Sequence, residues 1–248
     1  MIADSHVHVG NFRERSFSPA VIVRFLTRMG ITRFVVSGTA AAVGDHAQAK
    51  ADLKQTMELA PDAALPLLWV APDMLRNDPT LSHSLSALPY RGIKIHGRAH
   101  RWAPEGRSLR RVLAIARERQ LPVLMHTGGD AACDAGAYRS LIIASRGATI
   151  ILAHGRPVDQ AIGVLKACPG CWVDTAFMPV QDLDLLVAEG FSGKILFGSD
   201  TPIDRVYRVG SPGRRYRSRI EMIKRRYGEQ CFHQWAWLNN HHVWQELA

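Results

Sequence analysis

The sequence predicts an α/β fold, one (β/α)8 barrel, and three observations carry that expectation. Short apolar runs recur at intervals of roughly 25–30 residues, and segments with helical spacing lie between them. The runs number eight. The chain is 248 residues long, close to the ~250 that a complete barrel of this kind uses.

The eight runs are Ile2–Ala3, Phe34–Val36, Leu65–Val70, Gly92–Ile95, Pro122–Met125, Thr149–Leu152, Cys171–Val173 and Lys194–Phe197. The clearest helix spans Leu109–Gln120, where Leu109, Val112, Leu113 and Ala116 form a stripe opposite Arg110, Arg111, Arg117, Glu118 and Arg119. Similar stretches cover Pro19–Met29, Ala47–Leu59, Pro157–Ala167 and Val180–Glu189. No composition shift or Pro/Ser-rich linker divides the chain, so residues 1–248 read as a single domain. A doubly wound open sheet is the alternative. It is disfavoured because Asp4-Ser5-His6-Val7-His8 stands where a Gly-rich phosphate fingerprint belongs.

Composition narrows the class. A hydrophobic content of 47% with 21% charged residues excludes a disordered chain. No apolar stretch approaches the 18 residues needed to span a bilayer, so no membrane role is expected. Four cysteines are too few for a disulfide framework, and the first residues lack the basic and apolar regions of a signal peptide. Both point to the cytoplasm. Cys168-Pro169-Gly170-Cys171 has zinc-ligand spacing but no second pair, which leaves it a turn.

The chemistry gathers at the carboxyl ends of the runs: His6 and His8 after the first, Lys94 and His96 at the fourth, His126 at the fifth, His154 at the sixth, Asp200 at the eighth. In a barrel those ends converge on one face. Imidazoles with a carboxylate suit Zn²⁺ or a similar divalent ion, and His6 and His8, two apart in extended chain, share a face. Burying such groups unpaired would be costly, which favours a metal shell over core histidines.

At these motifs the chain resembles the amidohydrolase superfamily, and most closely its amidohydrolase-related branch of metal-dependent TIM-barrel hydrolases and decarboxylases. The resemblance rests on Asp4-Ser5-His6-Val7-His8, Gly92-Ile93-Lys94-Ile95-His96, Val123-Leu124-Met125-His126-Thr127-Gly128, Leu152-Ala153-His154-Gly155 and Leu196-Phe197-Gly198-Ser199-Asp200-Thr201-Pro202. Trp237–Trp244 is similar to the family's closing helix with its Asn. The resemblance implies His6, His8, His126 and Asp200 as ligands of one divalent metal, zinc first and manganese second, with His154 completing the shell or acting beside it. It also implies that Asp200 takes the proton from an activated water, that His154 polarises substrate, and that Asp4 is a support. Lys94 has two readings: an anion-binding catalytic lysine at a one-metal site, or a carboxylated bridge between two metals. One metal is favoured.

The formal net charge is +9, yet nine basic residues, Arg205 to Arg226, stand against one acid, Glu221, and the rest of the chain is near neutral. Arg205 and Arg208 directly follow the eighth run and, with His96, are the expected substrate-binding residues for a small anion. A solvated helix face or a homo-oligomer contact is the other use of that segment. Only Tyr207, Tyr216 and Tyr227 interleave with the basic residues, which argues against nucleic acid as a partner. The expected activity is therefore hydrolysis of a lactone, ester or amide. Decarboxylation of an aromatic or unsaturated acid is the alternative, and a metal-dependent nuclease or nucleic-acid-binding module a distant third.

Overall fold

The computed structural model describes residues 1–12, 14–203 and 211–245. Its elements are β1 (Ala3–Phe12), β2 (Arg15–Phe17), α1 (Pro19–Arg28), β3 (Arg33–Gly38), α2 (His46–Leu59), β4 (Ala64–Trp69), α3 (Met74–Asn77), α4 (Ser82–Ser86), β5 (Gly92–Ile95), α5 (Gly97–His100), α6 (Arg107–Glu118) and β6 (Val123–His126). The second half adds α7 (Arg139–Ala144), β7 (Ile150–Ala153), α8 (Val158–Ala167), β8 (Cys171–Asp174), α9 (Val180–Ala188), β9 (Ile195–Leu196), α10 (Pro212–Tyr227), α11 (Glu229–His233) and α12 (Asn239–Gln245). The sheet order is β2-β1-β3-β4-β5-β6-β7-β8-β9, parallel throughout except for the β1–β2 hairpin. Backbone hydrogen bonds return the last strand to the first. Ser5 N–H donates to Phe197 O at 2.8 Å, Asp200 N–H to His6 O at 2.8 Å and His8 N–H to Thr201 O at 2.7 Å. All eight expected runs are barrel strands.

Two strands differ from their expected extents. β1 runs ten residues rather than two, because His6 and His8 alternate with buried Val7 and Val9 and so break the apolar run without breaking the strand. β9 is shorter, since Phe197 N–H leaves the ladder to donate to Trp235 O at 2.9 Å. The β2 hairpin carries no apolar run and was not expected.

Alternation along the strands builds two cores. One parity (Val36, Ile93, Ile95, Val123, Met125, Ile150) packs against helices such as α6, whose Leu109, Val112, Leu113, Ile115 and Ala116 are buried. The other parity (Val35, Leu67, Leu124, Ile151, Trp172, Leu196) fills the barrel interior, plugged from below by Val243 and Trp244 of α12. Asn239 secures that helix by donating from Nδ2 to Ile195 O at 2.7 Å. Among the described residues, no helix is long and apolar enough to cross a membrane.

Candidate metal centre

Two residues further along the inward parity, apolar side chains give way to polar ones. Leu124 is followed by His126, Trp172 by Asp174, and Gly92 by Lys94 and then His96, while β1 contributes His6 and His8. His154 and Asp200 sit just past β7 and β9, both in the left-handed region at φ 71° and 58°. For residues with a Cβ this backbone costs of order 1–3 kcal/mol. Asp174 Oδ1 holds the first by accepting His154 N–H at 2.9 Å, and the barrel-closing bond to His6 O holds the second.

Hydrogen-bond acceptors settle which imidazole nitrogens carry protons. His6 Nδ1 donates to Asp174 Oδ2 at 2.8 Å, His154 Nδ1 to Ala176 O at 3.0 Å and His126 Nε2 to Gly128 O at 3.1 Å. The opposite nitrogens therefore present lone pairs. His154 Nε2 and His126 Nδ1 face each other at 3.2 Å with no proton left to share, and His6 Nε2 lies 3.1 Å from Lys94 Nζ and 3.5 Å from Asp200 Oδ1. Asp200 Oδ1 is 3.0 Å from His8 Nε2 but has no hydrogen-bond partner, and Asp200 Oδ2 lies 3.9 Å from His154 Nε2. Ser37 Oγ steadies the other side of His8, 2.9 Å from Nδ1.

One ligand atom from each of His6, His154 and Asp200 falls within 4.8 Å of the others. His8 touches this trio through Asp200 and His126 through His154. All five residues expected as ligands thus converge, with His154 inside the tightest group and His8 and His126 on its flanks.

Burial dominates the electrostatics. It raises the Asp200 carboxyl to about 6, against the pull of His6 and Lys94, and lowers the Lys94 ammonium to about 8. It also lowers His8 to about 3 and pushes His6, His96, His126 and His154 down, with Lys94 adding to the effect on each. The imidazoles are neutral at pH 7. Neutral nitrogens with converging lone pairs and an orphaned carboxylate oxygen are the donor chemistry a divalent cation takes, so these residues fit one.

Behind them Asp4 acts as a bracket. Its Oδ1 accepts the N–H groups of His6 at 3.1 Å and Ser199 at 3.0 Å, and its Oδ2 accepts Tyr216 O–H from α10 at 2.7 Å.

The cluster floors a cavity of about 630 Å³. Lys94 and His96 both line it; His96 stacks on His126 (3.8 Å between centroids, 11°) and runs parallel to Trp69 (5.9 Å, 1°). Two further cations also line it: Arg98 and Arg156, each two residues beyond a strand-end histidine. Sequence reasoning passed over both, although the repeated His-x-Arg after His96 and His154 was available as a signal. Arg205 and Arg208 lie outside the described residues. The rest of that basic segment is partly spent on packing. Arg226 pairs with Asp184 at 2.6 Å, Lys224 with Glu229 at 3.0 Å, and Arg219 donates to Thr175 O at 3.0 Å.

A closed (β/α)8 barrel with a histidine–carboxylate cluster at its carboxyl face defines the class of TIM-barrel proteins equipped to hold a metal. Within that class the family model described as amidohydrolase matches residues 3–209, and the chain belongs to this family. Solved structures share the fold at low identity. A probable 2-pyrone-4,6-dicarboxylic acid hydrolase from Acinetobacter baumannii with citric acid bound is 15% identical, with 98% of each chain covered and a TM-score of 0.71. An amidohydrolase from Burkholderia multivorans with bound zinc is 12% identical over 98% of this chain and 99% of that one (TM-score 0.73). A 2,6-dihydroxybenzoate decarboxylase from Rhizobium is 12% identical over 100% of both chains (TM-score 0.69). No curated protein matches the sequence.

Proposed function

We propose that this protein is a metal-dependent hydrolase of small anionic lactones, esters or amides. One divalent cation, zinc first and manganese second, is held by His6, His154 and Asp200 with His8 and His126 at its flanks. The observation that carries the reading is the meeting of proton-free imidazole nitrogens around the unpartnered Asp200 Oδ1. A divalent cation bound there supplies Lewis acidity, polarising a carbonyl and bringing the pKa of water to around 7.

The chain's own groups do the rest. Asp200 Oδ1 accepts the proton of the attacking water and returns it to the leaving oxygen or nitrogen; a carboxyl near pH 6 suits both transfers. Asp174 holds His6 through its ring and His154 through its backbone, so the two lone pairs keep their aim. His154 Nε2 lies on the same side as Asp200 and steadies the polarised carbonyl. Lys94 Nζ, cationic and fully buried, stabilises the developing oxyanion, and His96 with Trp69 offers substrate a flat wall. Arg205 and Arg208 are proposed to contribute charge from the segment that follows Asp200.

The test is a panel of lactones, esters, amides and aromatic acids assayed with zinc- and manganese-reconstituted protein. Acid release that disappears on chelation supports hydrolysis. CO2 release from aromatic or unsaturated acids, without acid release from the other classes, replaces hydrolase with decarboxylase on the same site.

A further inference from the structure

We propose that the substrate carries a second carboxylate, gripped at the mouth of the cavity by Arg98 and Arg156; this rests on reading the site as one for small anions. The charge lining the cavity motivates it. Asp200 is the one carboxylate on the wall, facing Lys94, Arg98 and Arg156, while the histidines are neutral. The floor, with Lys94 and the proposed cation, matches the reacting group. Arg98 and Arg156 stand apart from that floor, each carried beyond its strand-end histidine, and a substrate with a single anionic group would leave them unmatched.

The local backbone is shaped around both arginines. The turn after His126 contains Gly128 and Gly129, both left-handed at φ 85° and 94°. A Cβ on Gly128 would lie 2.8 Å from Arg156 Cβ and 3.1 Å from its Cδ, so the Arg156 stem occupies the space a side chain would need. The nearest atom to a Cβ on Gly129 is Arg98 Nη1, at 3.8 Å. One glycine pair thus sits against both arginines, and neither has a side chain between it and the next. Arg156 is further fixed, with Nη2 donating to Phe177 O at 3.2 Å and its guanidinium 5.9 Å from the centre of the Phe177 ring. A guanidinium held in plane presents its fork to a carboxylate with little ordering cost. Flat walls on the inner side, Trp69 and His96, suit a ring joining the two acid groups.

Calorimetric binding of benzoate, phthalate, isophthalate, terephthalate and trimesate to the zinc-loaded protein tests this. At least one of the polycarboxylates is expected to bind roughly 10- to 100-fold tighter than benzoate. Arg98→Gln and Arg156→Gln should each collapse that ratio, as should Gly128→Ala by displacing the Arg156 stem, whereas Arg110→Gln on the outer face of α6 should leave it intact. Arg98 is exposed, so its replacement leaves folding untouched. The proposal is overturned if no polycarboxylate outbinds benzoate, or if the preference survives in both arginine variants. Binding is read without turnover, so failure to hydrolyse any ester leaves this claim standing, and a lost preference leaves the metal and water chemistry standing.

Discussion

The two ends of the barrel interior are built by the same strands and do opposite work. At the bottom Leu67, Leu124, Ile151, Leu196 and Trp244 close an apolar plug. Two residues up, Leu124 becomes His126 and Trp172 becomes Asp174, and the top is a buried set of imidazoles, a lysine and a carboxylate. The plug gains stability from area removed from water. The top loses stability through two left-handed residues, a buried ammonium and an orphaned carboxylate oxygen. Strain and buried charge concentrated at one end of an otherwise apolar cylinder mark the end where chemistry is done.

Substitutions at each end should therefore separate activity from stability. Asp200→Asn is expected to lower kcat/KM about 10²- to 10⁴-fold on any substrate the panel identifies, with no loss of Tm. At the other end, Trp244→Ala should cost about 3–5 kcal/mol in urea unfolding while the folded protein keeps its metal-binding capacity. Activity loss in the second variant beyond what the unfolded fraction explains would blur the division.

The pH dependence of the metal-free protein sharpens the same contrast. The folded Asp200 carboxyl titrates at about 6 against an ordinary 3.8, so the native state binds more protons than the unfolded state between those values. Its contribution is complete below pH 3.8 and is lost as pH rises through 6, a loss of roughly 3 kcal/mol. His8, lowered to about 3 from 6.5, acts in the opposite sense, its contribution present above pH 6.5 and lost as pH falls through 3. The difference in unfolding free energy between wild type and Asp200→Asn isolates the first effect. It should favour the variant increasingly from pH 4 to 7; a difference flat with pH would mean that Asp200 is not held protonated by burial. The smallest effect is expected at the bracket, where Tyr216→Phe removes one bond to Asp4 and should cost about 1 kcal/mol by the same unfolding measurement.

The eight strands were legible because barrel strands covered on both faces read as apolar runs, and the histidines because they end those runs. β1 was underestimated for the same reason reversed: inward His6 and His8 interrupt the apolarity that marks a strand. The convergence of Asp174 on His6 and His154 could not be read from spacing, since it depends on residues 20 and 168 positions apart. The left-handed backbone at His154 and Asp200 left no trace in residue type, as neither is glycine. Arg98 and Arg156 were overshadowed by the denser basic run from Arg205 to Arg226, where number of charges drew attention from position.

The central claim is that the top of this barrel is a cation site. Elemental analysis of protein purified without chelator, then stripped and reloaded with Zn²⁺ or Mn²⁺, tests it most directly. About one equivalent per chain is expected, falling to near zero in a His6→Ala/His154→Ala double variant that remains folded. Protein that stays metal-free after reloading, or a double variant that still takes up a full equivalent, would contradict it.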